Sequence, residues 1–139
     1  MIILDTNVVS ELMRPVSSPV VLRWLSKQHA HDLYSSTITL AEIFYGIELL
    51  PLGERRSALV AGAERMFTVV LADRIFPFDE LAARAFAQIA SARRRTGRPV
   101  ADFDAQIAAI ARVHGSAVAT RNTADFEGCG IRVVNPWVD

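Results

Sequence analysis

The sequence predicts an α/β fold, a parallel sheet enclosed by helices on both faces. Three observations carry that expectation. Short apolar runs of the buried-strand type alternate with longer stretches of helical periodicity along the whole chain. Parallel neighbours need crossover connections, and the helical stretches are long enough to supply them and to cover both faces. Half of the residues are apolar (51%) and no segment is of low complexity, so a substantial interior can be buried.

The first run, MIIL (1–4), is a strand, and Asp5 to Met13 then reads helical, stopped by Arg14-Pro15. Ser18-Pro19 opens a second helix through Trp24 and Leu25, with proline in its first turn. Leu33 to Ser35 is the second strand, and Thr39 to Leu49 a helix halted by Pro51. Gly53 to Val70 is helical again, and Arg74 to Phe78 is a short strand. Glu80 to Arg95 is a long helix closed by Thr96-Gly97, and Ala101 to His114 an alanine-rich one closed by Gly115. Ser116 to Ala119 and Ile131 to Val134 complete the strands.

At 139 residues the chain fits one domain, 1–139, and no linker or repeat divides it. Its apolar runs are shorter than the roughly 20 residues of a membrane span, and no basic region with a long apolar segment opens the chain. A soluble cytoplasmic protein without a membrane partner is expected. The single cysteine, Cys129, excludes an internal disulfide and a thiolate zinc site. Lys and Arg balance Asp and Glu at 15 each, so any nucleic-acid contact must be local rather than driven by the net field.

In such sheets ligands bind outside the carboxyl ends of the strands. Asp5, Thr6 and Asn7 end the first strand; Thr120, Arg121 and Asn122 end the strand AVA, with Asp125 three residues on. Glu42 falls in the first turn of one helix and Asp104 in the first turn of another. Four carboxylates from four separated segments thus point to one rim. Each has a structural explanation: Asp5 or Thr6 can cap a helix, and Thr39-x-x-Glu42 has the form of a capping box. Asp104 discriminates, because it shares a stripe with Ile107, Ala108 and Ala111, the packing side of its helix, whereas Asp102 points away. Gly46, one turn after Glu42, leaves room beside that carboxylate or marks a close helix contact.

Carboxylates crowded together force protonation of some of them unless a cation intervenes. Oxygen ligands without a Cys/His cluster suit Mg²⁺ or Mn²⁺, whose waters can be activated against phosphate. Spacing alone leaves this metal site and a scaffold of well-capped helices both open. Arg93, Arg94, Arg95 and Arg98 are candidates for holding RNA phosphates, or complement the end of their helix. His29, His31 and His114 lack the spacing of a triad or metal site. Trp24, Trp137, Phe44, Tyr45 and Phe86 read as core or subunit contacts.

Four segments, LDTNVVSELMRP, TITLAEIFYGIELLP, GRPVADFDAQIAAIA and VATRNTADFEGCGIRVVNPW, follow in order the pattern of PIN-domain toxins of type II toxin–antitoxin systems. The chain resembles the VapC family and, within it, the FitB-like branch. That resemblance implies a PIN-like α/β fold with a parallel five-stranded sheet over residues 1–139. It also implies an Mg²⁺- or Mn²⁺-dependent endoribonuclease acting on RNA, tRNA included, as a homodimer. A cognate VapB-like antitoxin would inhibit it and alone connect it to operator DNA. Carried over by position, Asp5, Glu42 and Asp104 are the catalytic acids, with Asp5 and Asp104 holding metal and Glu42 binding it directly or through water. Attack of a polarised water on phosphorus would leave a 3′-hydroxyl and a 5′-phosphate. Many relatives carry an acid where this chain has Asn122, so either Asp125 reaches the site or three acids suffice and Asn122 orients a water. Thr6 and Thr120 would support the acids by hydrogen bonds. The competing expectation is a catalytically weak PIN module that mainly binds antitoxin and, through it, operator DNA. An aspartyl phosphotransferase with Asp5 as nucleophile is disfavoured, since the second acid expected two residues later is Asn7.

Overall fold

A computed structural model describes residues 1–139. Its strands are β1 (Ile2–Leu4), β2 (Leu33–Ser36), β3 (Ile75–Phe76), β4 (Ala117–Ala119) and β5 (Val133–Val134). They form one parallel five-stranded sheet in the order β3-β2-β1-β4-β5. The helices are α1 (Thr6–Leu12), α2 (Pro19–Ser26), α3 (Thr37–Glu48), α4 (Glu54–Arg65), α5 (Glu80–Arg95) and α6 (Asp102–His114).

Side chains alternate across the pleat, and this splits the interior into two cores. Ile2 and Leu4 of β1 face Val8 and Val9 of α1, Trp24 of α2, and Ile43 and Ile47 of α3. Ile3, between them, faces the other way onto Ile89 of α5 and Ile107 and Ile110 of α6. The alanine-rich surface of α6 lets it lie close to β4, where Val118 is its fully buried neighbour. Gly115 ends α6 at φ 62°, the left-handed position expected of a helix-closing glycine. Burial pushes the Cys129 thiol up in pKa, against the Arg93 side chain beside it, as befits a structural thiol.

Three boundaries differ from the sequence expectation. The stretch 53–70 is α-helical only to Arg65; Met66–Val70 continues as a π-helical turn, where Thr68, Val69 and Val70 crowd the backbone with branched side chains. β3 shrinks to two residues because Pro77 cannot extend the ladder. α3 begins at Thr37, two residues early, because Ser36 caps it by accepting the Thr39 N–H at 3.1 Å. No helix is long and apolar enough to cross a membrane.

From β1 the chain builds outward to β2 and β3, then returns to add β4 and β5 on the other side. The order therefore reverses between β1 and β4, and a crevice opens at their carboxyl ends. Leu4 is paired with Ala119, so Asp5 and Thr120 leave the sheet side by side.

Candidate active site

Asp5 occupies that crevice at 4% exposure. It caps α1 by accepting the Thr6 N–H at 2.7 Å, and its other oxygen accepts the Thr120 hydroxyl at 2.8 Å and the Asn7 amide at 3.3 Å. A cap needs only the first of these bonds. Thr6 reaches across to α3, donating to Glu42 Oε1 at 2.9 Å, so both threonines hold acids as the sequence reading expected. The capping box at Thr39 and Glu42 is not formed: Ser36 is the cap, Thr39 is buried within the first turn, and Glu42 is free to face the crevice. Gly46 shows no close helix contact; it lines, with Thr6 and Glu42, a cavity of about 570 Å³ between α1, α3 and α4.

Asp104 lies half-buried in the first turn of α6, and Asp102 is exposed, in agreement with the phase of the helix. Asp125 sits in a short 3-10 turn, Thr123–Phe126. Asn122 precedes that turn without capping it through its side chain, and its backbone N–H donates to Thr120 Oγ1 at 3.1 Å.

The acids are near enough to influence one another's protonation. Burial pushes the Asp104 pKa up to about 6, and the charges of Asp5, Asp125 and Glu42 push in the same direction. Burial likewise raises Asp5, against the hydrogen bonds of Thr120 and Thr6, with Asp125 adding to the rise. Glu42 is raised by burial and by the Asp5 charge, against the Thr6 hydroxyl. Without a counter-ion the native state binds a proton at Asp104 more readily than the unfolded chain does. The resulting stability is complete below the ordinary value of 3.8 and is lost as pH rises through about 6. Metal-free protein should therefore be more stable, and melt higher, at pH 5 than at pH 7.5, the stability difference being about 1 kcal/mol after allowing for the partly solvated carboxyl. Asp104→Asn should flatten that slope in a chelator-containing thermal melt, and an unchanged slope would contradict it.

No three His, Cys, Asp or Glu side chains stand close enough to chelate a metal among themselves. The acids feel one another's charge without converging on a point. This donor set, all oxygen and incompletely gathered, fits Mg²⁺, which keeps several waters and takes one or two carboxylates plus substrate oxygens rather than a protein cage.

The expected basic cluster divides. Arg93 is 7% exposed, and its guanidinium donates to the carbonyls of Arg98 (2.6 Å), Asp125 (3.0 Å) and Glu127 (2.6 Å). Its donors Nε and Nη1 are turned into the protein and spent on backbone carbonyls rather than offered to RNA phosphates. Arg98 is exposed but paired with Glu127 at 3.1 Å, while Arg94 and Arg95 are exposed. Sequence reasoning placed Asn7 on the rim without naming its contacts; its amide bridges Asp5 and Thr120 and its oxygen accepts the Arg121 N–H at 3.2 Å. Its position two residues after a strand-ending acid was the available signal.

The PIN domain profile matches residues 2–128. The chain is 43% identical to the plasmid stability protein StbB of Pseudomonas syringae pv. tomato, over 99% of each chain. It is 42% identical to the toxin FitB of Neisseria gonorrhoeae over all of both chains, and 40% to the VapC ribonuclease Y4jK of Sinorhizobium fredii over 99% and 98%. Among solved structures, it superposes on the FitAB complex bound to an IR36 DNA fragment with a TM-score of 0.90 at 42% identity, over 99% of this chain and 96% of that one. With these matches spanning nearly its full length, the chain belongs to the PIN-domain family, in the company of the VapC ribonucleases and the FitB toxin.

Proposed function

We propose that this protein is the toxin of a type II toxin–antitoxin pair and acts as a divalent-metal-dependent endoribonuclease. What carries the reading is the hydrogen-bonded frame at the β1/β4 crevice, where Thr120 and Asn7 hold Asp5 and Thr6 holds Glu42, with the charges of Asp5, Asp125 and Glu42 acting together on Asp104. Asp5 and Asp104 would hold Mg²⁺ or Mn²⁺, with Glu42 bound directly or through water and Asp125 at the outer edge. A cation held there supplies charge neutralisation for the phosphodiester and a polarised water. The chain's own contribution is orientation. Thr120 and Asn7 fix one Asp5 oxygen and Thr6 fixes Glu42, so the carboxylates meet substrate without first reorganising. Cleavage of a panel of structured RNAs, tRNA among them, with and without Mg²⁺, tests this reading; no metal-dependent cleavage of any RNA would overturn it.

The solved relatives also support partners. FitAB, which contains the FitB toxin, is bound to an IR36 DNA fragment, and the VapBC of Salmonella typhimurium is likewise bound to DNA. We take this chain to be a homodimer neutralised by a VapB-like antitoxin, which connects it to operator DNA.

Asp125 is open to a direct test. If it supports the metal, Asp125→Asn lowers metal affinity and cleavage together by about 10–100-fold. If metal titrations of the variant and the parent overlay, the site has three acids, with Asn122 as their polar neighbour.

A further inference from the structure

We infer that Arg121, braced by Trp137, is a substrate-positioning residue that holds a phosphate of the RNA strand beside the acidic crevice. The inference rests on the ribonuclease reading above. The chain has no net charge to gather RNA, so any electrostatic hold on the strand must be local. Of the arginines near the rim, Arg93 is buried, Arg98 is paired with Glu127 and Arg14 with Glu11, and the exposed Arg55 lines the cavity beside Glu42 rather than the end of β4. Arg121 is exposed and directly follows Thr120, the residue that bonds Asp5. The four ion pairs of the chain engage Arg14, Arg56, Arg84 and Arg98, leaving Arg121 without a carboxylate partner. Glu11 lies within reach of its charge, yet that carboxylate is taken by the Ser18 N–H at 2.9 Å and by Arg14 at 3.2 Å.

Two contacts make Arg121 more than a surface cation. Its guanidinium carbon lies 5.0 Å from the centre of the Trp137 ring. Stacking on a face restricts the side chain while leaving the N–H fork at its edge for a phosphate. Its backbone N–H is held by Asn7 Oδ1, and the Nδ2 of the same Asn7 donates to Asp5. One side chain therefore fixes the register between an acid and this cation.

Binding of a short fluorescent single-stranded RNA, measured on the Asp5→Asn background over a range of salt, tests the inference. Arg121→Gln should weaken binding several-fold and lower the salt slope by about 0.7, the value for one phosphate on a single strand. Arg121→Lys should restore the slope but only part of the affinity, because it keeps the charge and loses the flat fork; a merely structural role would give no charge-dependent rescue. In the cleaving protein the loss should fall on KM rather than kcat. Unchanged affinity, slope and KM in Arg121→Gln, with metal-dependent cleavage intact in the parent, would overturn the inference alone. Absence of such cleavage in the parent would overturn the ribonuclease reading beneath it.

Discussion

Asp5→Asn should reduce metal-dependent RNA cleavage by about 10³-fold or more while leaving the fold in place. The magnitude follows from the several kcal/mol that a metal contributes at a reacting phosphate, each 1.36 kcal/mol being a factor of ten. Stability should move little, for opposing reasons. An amide at this position can still accept the Thr6 N–H, but it presents a donor where Asp5 accepts from Asn7 and Thr120. Against that loss stands relief of a carboxylate buried among like charges. The metal-free variant should therefore melt within a few degrees of the parent or above it. Added Mg²⁺ should raise the melting temperature of the parent and not of the variant, since only a bound ligand stabilises. Near-parental cleavage by Asp5→Asn would remove Asp5 from the metal site, whatever the thermal data showed.

Much of this site was legible because its parts obey local rules. A buried strand that ends on an acid, an acid on the apolar stripe of α6, and a glycine closing that helix are each visible within a few residues of sequence. The structure retains all three. The helix α3 was legible in kind but not in register, since Ser36 and Thr39 are both acceptable caps and only the end of β2 decides between them. Side chains that act across the chain were not legible. Asn7 touches residues 113 and 114 positions away, and no spacing rule connects them before the sheet order is known. The Arg93 to Arg98 cluster does not act as a unit, for a related reason. Four basic residues at a helix end look equivalent in sequence, and only the return of the chain at Asp125 to Cys129 singles out the one that becomes buried.

Arg93→Ala should destabilise the fold by about 3 kcal/mol, or roughly 10 °C in melting temperature for a chain of this size, more than any change among the crevice acids. Arg93 leaves the last turn of α5 and donates to carbonyls of two separate segments, the loop after α5 at Arg98 and the turn at Asp125 and Glu127. No carboxylate accompanies it into the interior; the Glu127 side chain pairs with Arg98 instead. Its charge is stabilised by neutral acceptors, and truncation leaves those carbonyls unpartnered beside a void. Lysine keeps the charge but cannot reach three acceptors with a fork, so Arg93→Lys should recover only part of the stability. Arg94 and Arg95, exposed on the same helix, should behave in the opposite way. Their joint replacement by Gln should leave the melt unchanged and, if they meet RNA, lower the salt slope of binding. Loosening Arg93 also frees the turn that carries Asp125, so metal affinity should fall in Arg93→Lys. That second loss should vanish on an Asp125→Asn background, because the carboxylate whose position Arg93 sets is no longer there. An Arg93→Ala protein with a parental melting temperature would show that the three carbonyl bonds contribute nothing, and would return Arg93 to the pool of residues available to RNA.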